Sequence, residues 1–382
     1  MTQTSNRLWF IDAARSIAII MMLQGHFISL TFEDYDVMRG AISTHGTSGS
    51  MLFDVWFQFR GFTAPLFFSI TGLIFVYLLT GPNAQPVWKQ KRVRRGIKRA
   101  FTIIIWGYIL QLNYKNLAYY MAGKVTGRFY AFHVLHCIGI GILIIIMIYF
   151  LHKYIKSIPL ALILALLGIA AFTLHPLVKS MGENYFPSAA HEVIQNIFHG
   201  PHSIFPLTPW LGYVLLGGAI GAYVRSIGDK IKEKWFPLKF VLKGVLICFA
   251  FKGIFTFVDY AFEPEIAFRR SVWFFYRFAE ILLLLALLMY VERIVKKRTT
   301  WFILMGQNTL TIYILHVIAL YGAVIGIGLK TYYEDKLSTS ETILSAVAFI
   351  LFFALLSKVQ PTVVGAVKSI PKRLLKKRQK DD

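Results

Sequence analysis

An all-α, polytopic integral membrane bundle is the fold this sequence predicts, and three observations carry the prediction. Of its 382 residues, 56% are hydrophobic and only 16% are charged, where a soluble domain carries about a quarter. Apolar stretches long enough for a hydrocarbon core of about 30 Å recur about ten times, near 9–31, 57–80, 100–121, 133–151, 159–175, 206–224, 238–258, 272–291, 302–326 and 342–358. The connections between them sort by charge, basic ones alternating with acidic ones. A net charge of +22 would otherwise suit a nucleic-acid binder. With a mean hydropathy of +0.58 that class is excluded, and the charge reads as a topology signal.

The basic connections are KQKRVRRGIKR at 89–99, Lys153 with Lys156, the cluster from Arg225 to Lys239, ERIVKKR at 292–298, and the tail KSIPKRLLKKRQKDD. The opposite set holds FEDYD at 32–36, Glu183 and Glu192, VDYAFEPE at 258–265, and YYED at 332–335. Lys and Arg accumulate on the cytoplasmic side, so the basic set and both termini are expected there, as an even number of spans requires. The chain then divides into one transmembrane domain over 1–360 and a basic cytoplasmic tail over 361–382 near anionic headgroups. Cys137 and Cys248 alone build neither a disulfide framework nor a cysteine metal site. A cleavable signal peptide is not expected, because the first apolar stretch is too long and no small-residue site follows it.

The first span, RLWFIDAARSIAIIMMLQGHFISLT, carries Asp12, Arg15 and His26. Ionisable groups are costly inside a bilayer and face a protein interior or a watery cavity. Arg15 and His26 are eleven positions apart, three turns plus about 20°, so they share a helix face about 16 Å apart along the axis. Asp12 and Arg15 also suit a structural i,i+3 pair at the helix end.

Other spans place polar groups at matching depths. Span two enters through Arg60 and GFTAPLFFSITG, where Thr63, Ser69, Thr71 and Gly72 permit close helix contact. Span four opens with His133 and His136. Span eight, RRSVWFFYRFAEILLLL, holds Arg277 and Glu280, either a self-neutralising pair or an outward-opening site for an anion or sugar. In span nine Thr309, Tyr313 and His316 fall at i, i+4 and i+7 on one face. Two layers follow: Asp12, Arg15, Gln307 and Asn308 towards the cytoplasm, and His26, Arg60, His136, Arg277, Glu280 and His316 towards the outside. The loop at 175–205 holds His175, His191, His199 and His202 at spacings of 16, 8 and 3. These match no common metal-ligand pattern, and the loop reads as a cover over the outer mouth.

These residues resemble a known family. DAARSIAIIMMLQGH, RGFTAPLFFSITGL, FHVLHCIGIGILI, PLTPWLGYVLLGGAIG and GQNTLTIYILH are together similar to the heparan-α-glucosaminide N-acetyltransferase catalytic domains, within the wider acyltransferase-3-related membrane superfamily. The resemblance runs from Arg7 to about Tyr321. It implies transfer of an acyl group, usually acetyl, from cytoplasmic acyl-CoA to a hydroxyl or amine of an extracytoplasmic glycan or related acceptor. A multi-pass protein of the bacterial inner membrane is expected, with no metal and no nucleic-acid partner, and a homodimer is left open. Three histidines compete for the catalytic role, in the order His26, His45, His136. Asp12, Arg15, Asn308, Arg95 and Arg99 are expected on the CoA side, and Arg60, Trp210, Arg277, Glu280, Tyr313 and His316 on the acceptor side. Ser16 stands where the resembled proteins usually have Gly. The competing reading is a secondary transporter or flippase for an anionic or glycan-linked solute, coupled through His26, Arg277 and Glu280; a third is a structural partner in an envelope-polysaccharide complex.

Overall fold

The computed structural model describes residues 8–82, 85–116, 119, 121–123, 127–155, 157–184, 192–262, 271–295 and 300–359. The basic tail 361–382, His191 and Lys156 lie outside these. Among the described residues the chain is helical, with only isolated β-bridges. The helices are α1 (Trp9–Thr31), α2 (Tyr35–His45), α3 (Met51–Leu79), α4 (Lys91–Gln111), α5 (Val134–His152), α6 (Leu160–Thr173), α7 (His175–Asn184), α8 (Glu192–Ile197), α9 (Leu207–Ile227), α10 (Phe236–Phe262), α11 (Val272–Ile294), α12 (Trp301–Gln307), α13 (Thr309–Tyr321), α14 (Lys330–Tyr333) and α15 (Thr339–Val359).

Seven of these are long and apolar enough to cross a membrane alone, or nine if each of two bent pairs counts as one span. The protein is therefore an integral, multi-pass, all-α membrane bundle. Two expected spans differ in form. The span expected over 100–121 is the second half of α4, which starts at Lys91 and bears Arg92, Arg94, Arg95, Lys98 and Arg99 on its first half. Its uncharged part, from Ala100 to Gln111, is only about 18 Å long. The span expected over 302–326 is broken: α12 and α13 meet at Asn308 with a bend of 85°. Asn308 suits a helix end, since its side chain competes with the backbone for hydrogen bonds; its amide donates to the Ser357 carbonyl at 3.3 Å. A milder bend of 52° separates α6 from α7, just before Pro176, whose ring disfavours helical geometry in the residue preceding it.

The centre of the bundle is α3 against α9, backed by α6 on the far side of α9. Small residues let these backbones approach. A Cβ on Gly72 would overlap the Val214 carbonyl, and one on Gly217 would overlap that of Ser69. Helix α1 lies against α3, α11 and α12, and both its ends are fixed by other segments. The Trp9 and Phe10 N–H groups donate to the Glu292 carboxylate at 2.9 and 3.4 Å, satisfying two of the donors that a helix start leaves open. At the other end the Asp335, Lys336 and Leu337 N–H groups donate to the Leu30 and Thr31 carbonyls. Asp12, Arg15 and His26 are thus held at set depths by a helix anchored at both termini.

Candidate functional site

Two cavities lie along α1, one near each end. The first, about 90 Å³, is lined by Arg15 of α1, Phe67, Thr71 and Phe75 of α3, Arg99 of α4, Leu135 and Ile138 of α5, and Thr309, Leu310 and Tyr313 of α13. Arg15 donates through Nη2 to Thr309 Oγ1 at 3.0 Å, and its Nη1 is 3.5 Å from Asp12 Oδ1. The Thr309 hydroxyl donates on to the Gly306 carbonyl at 2.6 Å. The bend at Asn308 is what turns α13 so that its first residue meets Arg15. A guanidinium and a helix start now face one cavity, an arrangement that favours anions.

The second cavity, about 180 Å³, is lined by Met21, Gly25 and His26 of α1, Arg60, Thr63 and Phe67 of α3, Val134, Phe205, and Tyr313 of α13. Phe67 and Tyr313 line both cavities, so the two meet at a shared aromatic partition. His26 Nδ1 lies 3.2 Å from His316 Nε2, and His316 Nδ1 lies 3.2 Å from the Ile312 carbonyl. That carbonyl can only accept, so Nδ1 of His316 carries the proton and, with both rings neutral, its Nε2 accepts from His26 Nδ1–H. The lone pair of His26 is then on Nε2. His316 is fully buried and the Tyr313 ring meets it edge-on, with centroids 5.1 Å apart.

Arg60 carries the positive charge of this cavity. Its Nε donates to the Gly25 carbonyl at 3.4 Å, and its guanidinium sits over Tyr35 and Trp56 at 5.5 and 6.0 Å. It has no carboxylate partner among the described residues.

The other sequence candidates lie elsewhere. His45 is exposed in the last turn of α2. His136 is buried against Tyr108, ring centroids 4.3 Å apart, with Nδ1 accepting the His133 N–H; its Nε2 would lie 2.6 Å from a Cβ on Gly107, which places it in the α4–α5 contact. Arg277 is buried on the other side of α3, where it donates to Glu280 at 2.8 Å and to Gln58 at 2.8 Å and stacks on Trp273. The Arg277–Glu280 pair therefore neutralises itself outside both cavities. Trp210 stands behind the second cavity, its ring edge-on to Phe205 with centroids 4.8 Å apart. Asn308 is engaged with Ser357, and Arg95 is exposed one turn before Arg99. In the loop at 175–205 the rings of His175 and His199 are 5.0 Å apart, and α7 and α8 occupy part of the stretch.

Sequence reasoning missed Phe67, an apolar residue in an apolar helix that carries no signal of its role. It also missed Gln24, which accepts from the Trp56 indole at 2.5 Å; there the signal was present, since an amide is rare in a span.

The sequence profile described as heparan-alpha-glucosaminide N-acetyltransferase, catalytic, matches residues 7–247. The match covers Arg15, His26, Arg60 and Arg99 but ends before Thr309, Tyr313 and His316, short of the Tyr321 limit that the motifs suggested. No curated protein matches the chain, and no solved structure does. With well over half of its length matched, the chain belongs to the heparan-alpha-glucosaminide N-acetyltransferase catalytic-domain family, whose members are membrane acetyltransferases that draw on acetyl-CoA.

Proposed function

We propose that this protein moves an acetyl group from cytoplasmic acetyl-CoA to a hydroxyl or amine of an extracytoplasmic glycan or related acceptor, within one transmembrane domain over 1–360 of a bacterial inner membrane. The single observation that carries the reading is the pair of cavities meeting at Phe67 and Tyr313, with Arg15 and Arg99 on one side and His26 with His316 on the other.

The charges suit the two ends of such a reaction. Arg15, Arg99 and the start of α13 supply positive potential for the phosphate-bearing end of the donor, and Asp12 holds Arg15 in place. The apolar lining between Phe75 and Leu310 suits an extended thioester arm. At the partition, His26 Nε2 removes the proton of the acceptor hydroxyl or ammonium while that oxygen or nitrogen attacks the thioester carbonyl. The C–S bond then breaks, and the proton returns to the departing thiolate. A variant in which His26 itself takes the acyl group and passes it on uses the same nitrogen. Tyr313 lines both cavities, and its hydroxyl suits the oxyanion. His316 acts through His26, fixing its tautomer.

Purified protein in liposomes, given acetyl-CoA labelled in the acetyl group and a glucosamine-terminated acceptor, tests this. The reading expects labelled acceptor and free CoA, with both lost in His26→Ala while CoA binding remains. A transporter would bind no CoA and would instead lose solute uptake in the same variant. Transfer that survives His26→Ala overturns the histidine assignment.

A further inference from the structure

A third concavity, about 300 Å³, opens beside the outer cavity between α1, α2, α3 and α15. Its walls are Ile28, Phe53 and Trp56 on one side and Ile343, Ala346 and Ile350 on the other. From Thr339 to Ile350, both of which line it, α15 rises about 16 Å, close to one leaflet of a hydrocarbon core about 30 Å thick. Leu52, Ile343 and Val347 on its rim are 68%, 48% and 48% exposed, so it faces the membrane sideways rather than water.

What separates this groove from the reaction cavity is thin. Trp56 and Gln24 line the groove and are joined by the indole–amide hydrogen bond. The next residue of α1, Gly25, and the next turn of α3, Arg60, line the outer cavity. The Arg60 guanidinium, without a carboxylate among the described residues, stands 6.0 Å from the Trp56 ring. An apolar slot one leaflet deep thus ends beside a lone cation and the histidine pair.

We propose that the acceptor is a membrane-borne amphiphile, its hydrocarbon chain in this groove, an anionic phosphate at Arg60, and its acetylated hydroxyl or amine at His26. This deepens the acetyl-transfer reading and rests on it. A chain leaving bulk lipid for the groove gains no hydrophobic free energy, because lipid tails are as apolar as the walls. The groove therefore supplies access and alignment, and the charge complementarity at Arg60 supplies the preference.

Two measurements on the full-length protein in phosphatidylcholine nanodiscs test it. In the first, a dodecyl phosphate carrying a chain-end diazirine is photolysed and the labelled peptides are mapped. The expected result is labelling concentrated on residues 339–350, reduced about tenfold by Val347→Trp and by Arg60→Gln. Labelling no stronger there than on the lipid-facing positions Leu246 and Phe249 of α10 overturns the groove. In the second, acetyl transfer is compared between the dodecyl phosphodiester of glucosamine 1-phosphate and glucosamine 1-phosphate itself. The tailed acceptor is expected to have a kcat/KM about tenfold higher, an advantage that Val347→Trp and Ile343→Trp each erase without changing transfer to the free sugar phosphate. An advantage equal in wild type and both variants reflects membrane partitioning alone and overturns the proposal. Labelling of 339–350 with no acetyl transfer to either acceptor would sink the enzymatic reading instead, so the two failures are told apart.

Discussion

Ser16 Oγ accepts the Gly306 N–H at 3.1 Å and donates to the Asp12 carbonyl at 3.0 Å, in a contact where Ser16 is fully buried. A Cβ on Gly306 would lie 2.5 Å from that hydroxyl. The residue that departs from the usual glycine of the resembled proteins is therefore the one that seats the broken helix on α1. Ser16→Gly removes a buried hydrogen-bonded hydroxyl and adds a helix glycine, together about 1–3 kcal/mol. Thermal unfolding in detergent should show a lowered midpoint for Ser16→Gly, and a smaller loss for Ser16→Ala. An unchanged midpoint in both would mean that the hydroxyl contributes nothing to the junction.

His316→Ala leaves His26 without the acceptor that fixes its tautomer. Acetyl transfer should lose about 10²- to 10⁴-fold in kcat with KM for acetyl-CoA little changed, because no donor contact is removed. His316→Gln keeps an acceptor at that position and should recover part of the loss. Steady-state kinetics of the two variants side by side decide the matter; equal loss in both would point to packing rather than proton placement.

Arg15 and Arg99 flank the first cavity, and a charge-assisted hydrogen bond is worth about 1.5–3 kcal/mol. Arg99→Ala should raise KM for acetyl-CoA about tenfold or more with kcat nearly retained. Arg95→Ala, one turn away and outside the cavity lining, should do less. Titration of CoA binding by calorimetry checks the order of effects.

Glu292 caps α1 across a long stretch of sequence. Glu292→Ala leaves the Trp9 and Phe10 N–H groups without their acceptor, a loss of about 0.5–2 kcal/mol, and Glu292→Gln should cost less. The unfolding midpoint is the readout, and activity at low temperature should be kept by both variants.

Gly217→Leu puts a side chain where the Ser69 carbonyl stands. No rotamer change relieves a clash with backbone, so α3 and α9 must part. The variant should fail to yield a monodisperse peak on size-exclusion chromatography, whereas Gly253→Leu, with nothing near its Cβ position, should behave as wild type.

The membrane class was legible because hydropathy and loop charge are sums over many residues, and such sums survive local exceptions. So was the facing of Arg15, Thr309, Tyr313 and His26, since helical periodicity places side chains on one line. What could not be read was the bend at Asn308. Nothing in GQNT distinguishes a kinked span from a straight one until Ser16 and Ser357 are known to bracket it. Depth alone also left the two readings of Arg277 and Glu280, a self-neutralising pair or an outward-opening site, open. Arg277 and Glu280 share the depth of His26, but depth does not give direction around the bundle axis, and α3 stands between them and the cavity. Glu292 sat inside a basic run and was read as part of its charge, because its partner lies at the opposite end of the sequence.

The wall formed by Phe67 and Tyr313 has a bearing on permeability. A barrier one aromatic layer deep suits a two-carbon fragment handed from atom to atom better than the passage of a whole cofactor or a hydrated ion. If those two rings are what keeps the compartments apart, trimming Phe67 to alanine should make liposomes containing the protein leak protons, a fault measurable with an entrapped dye and independent of any turnover.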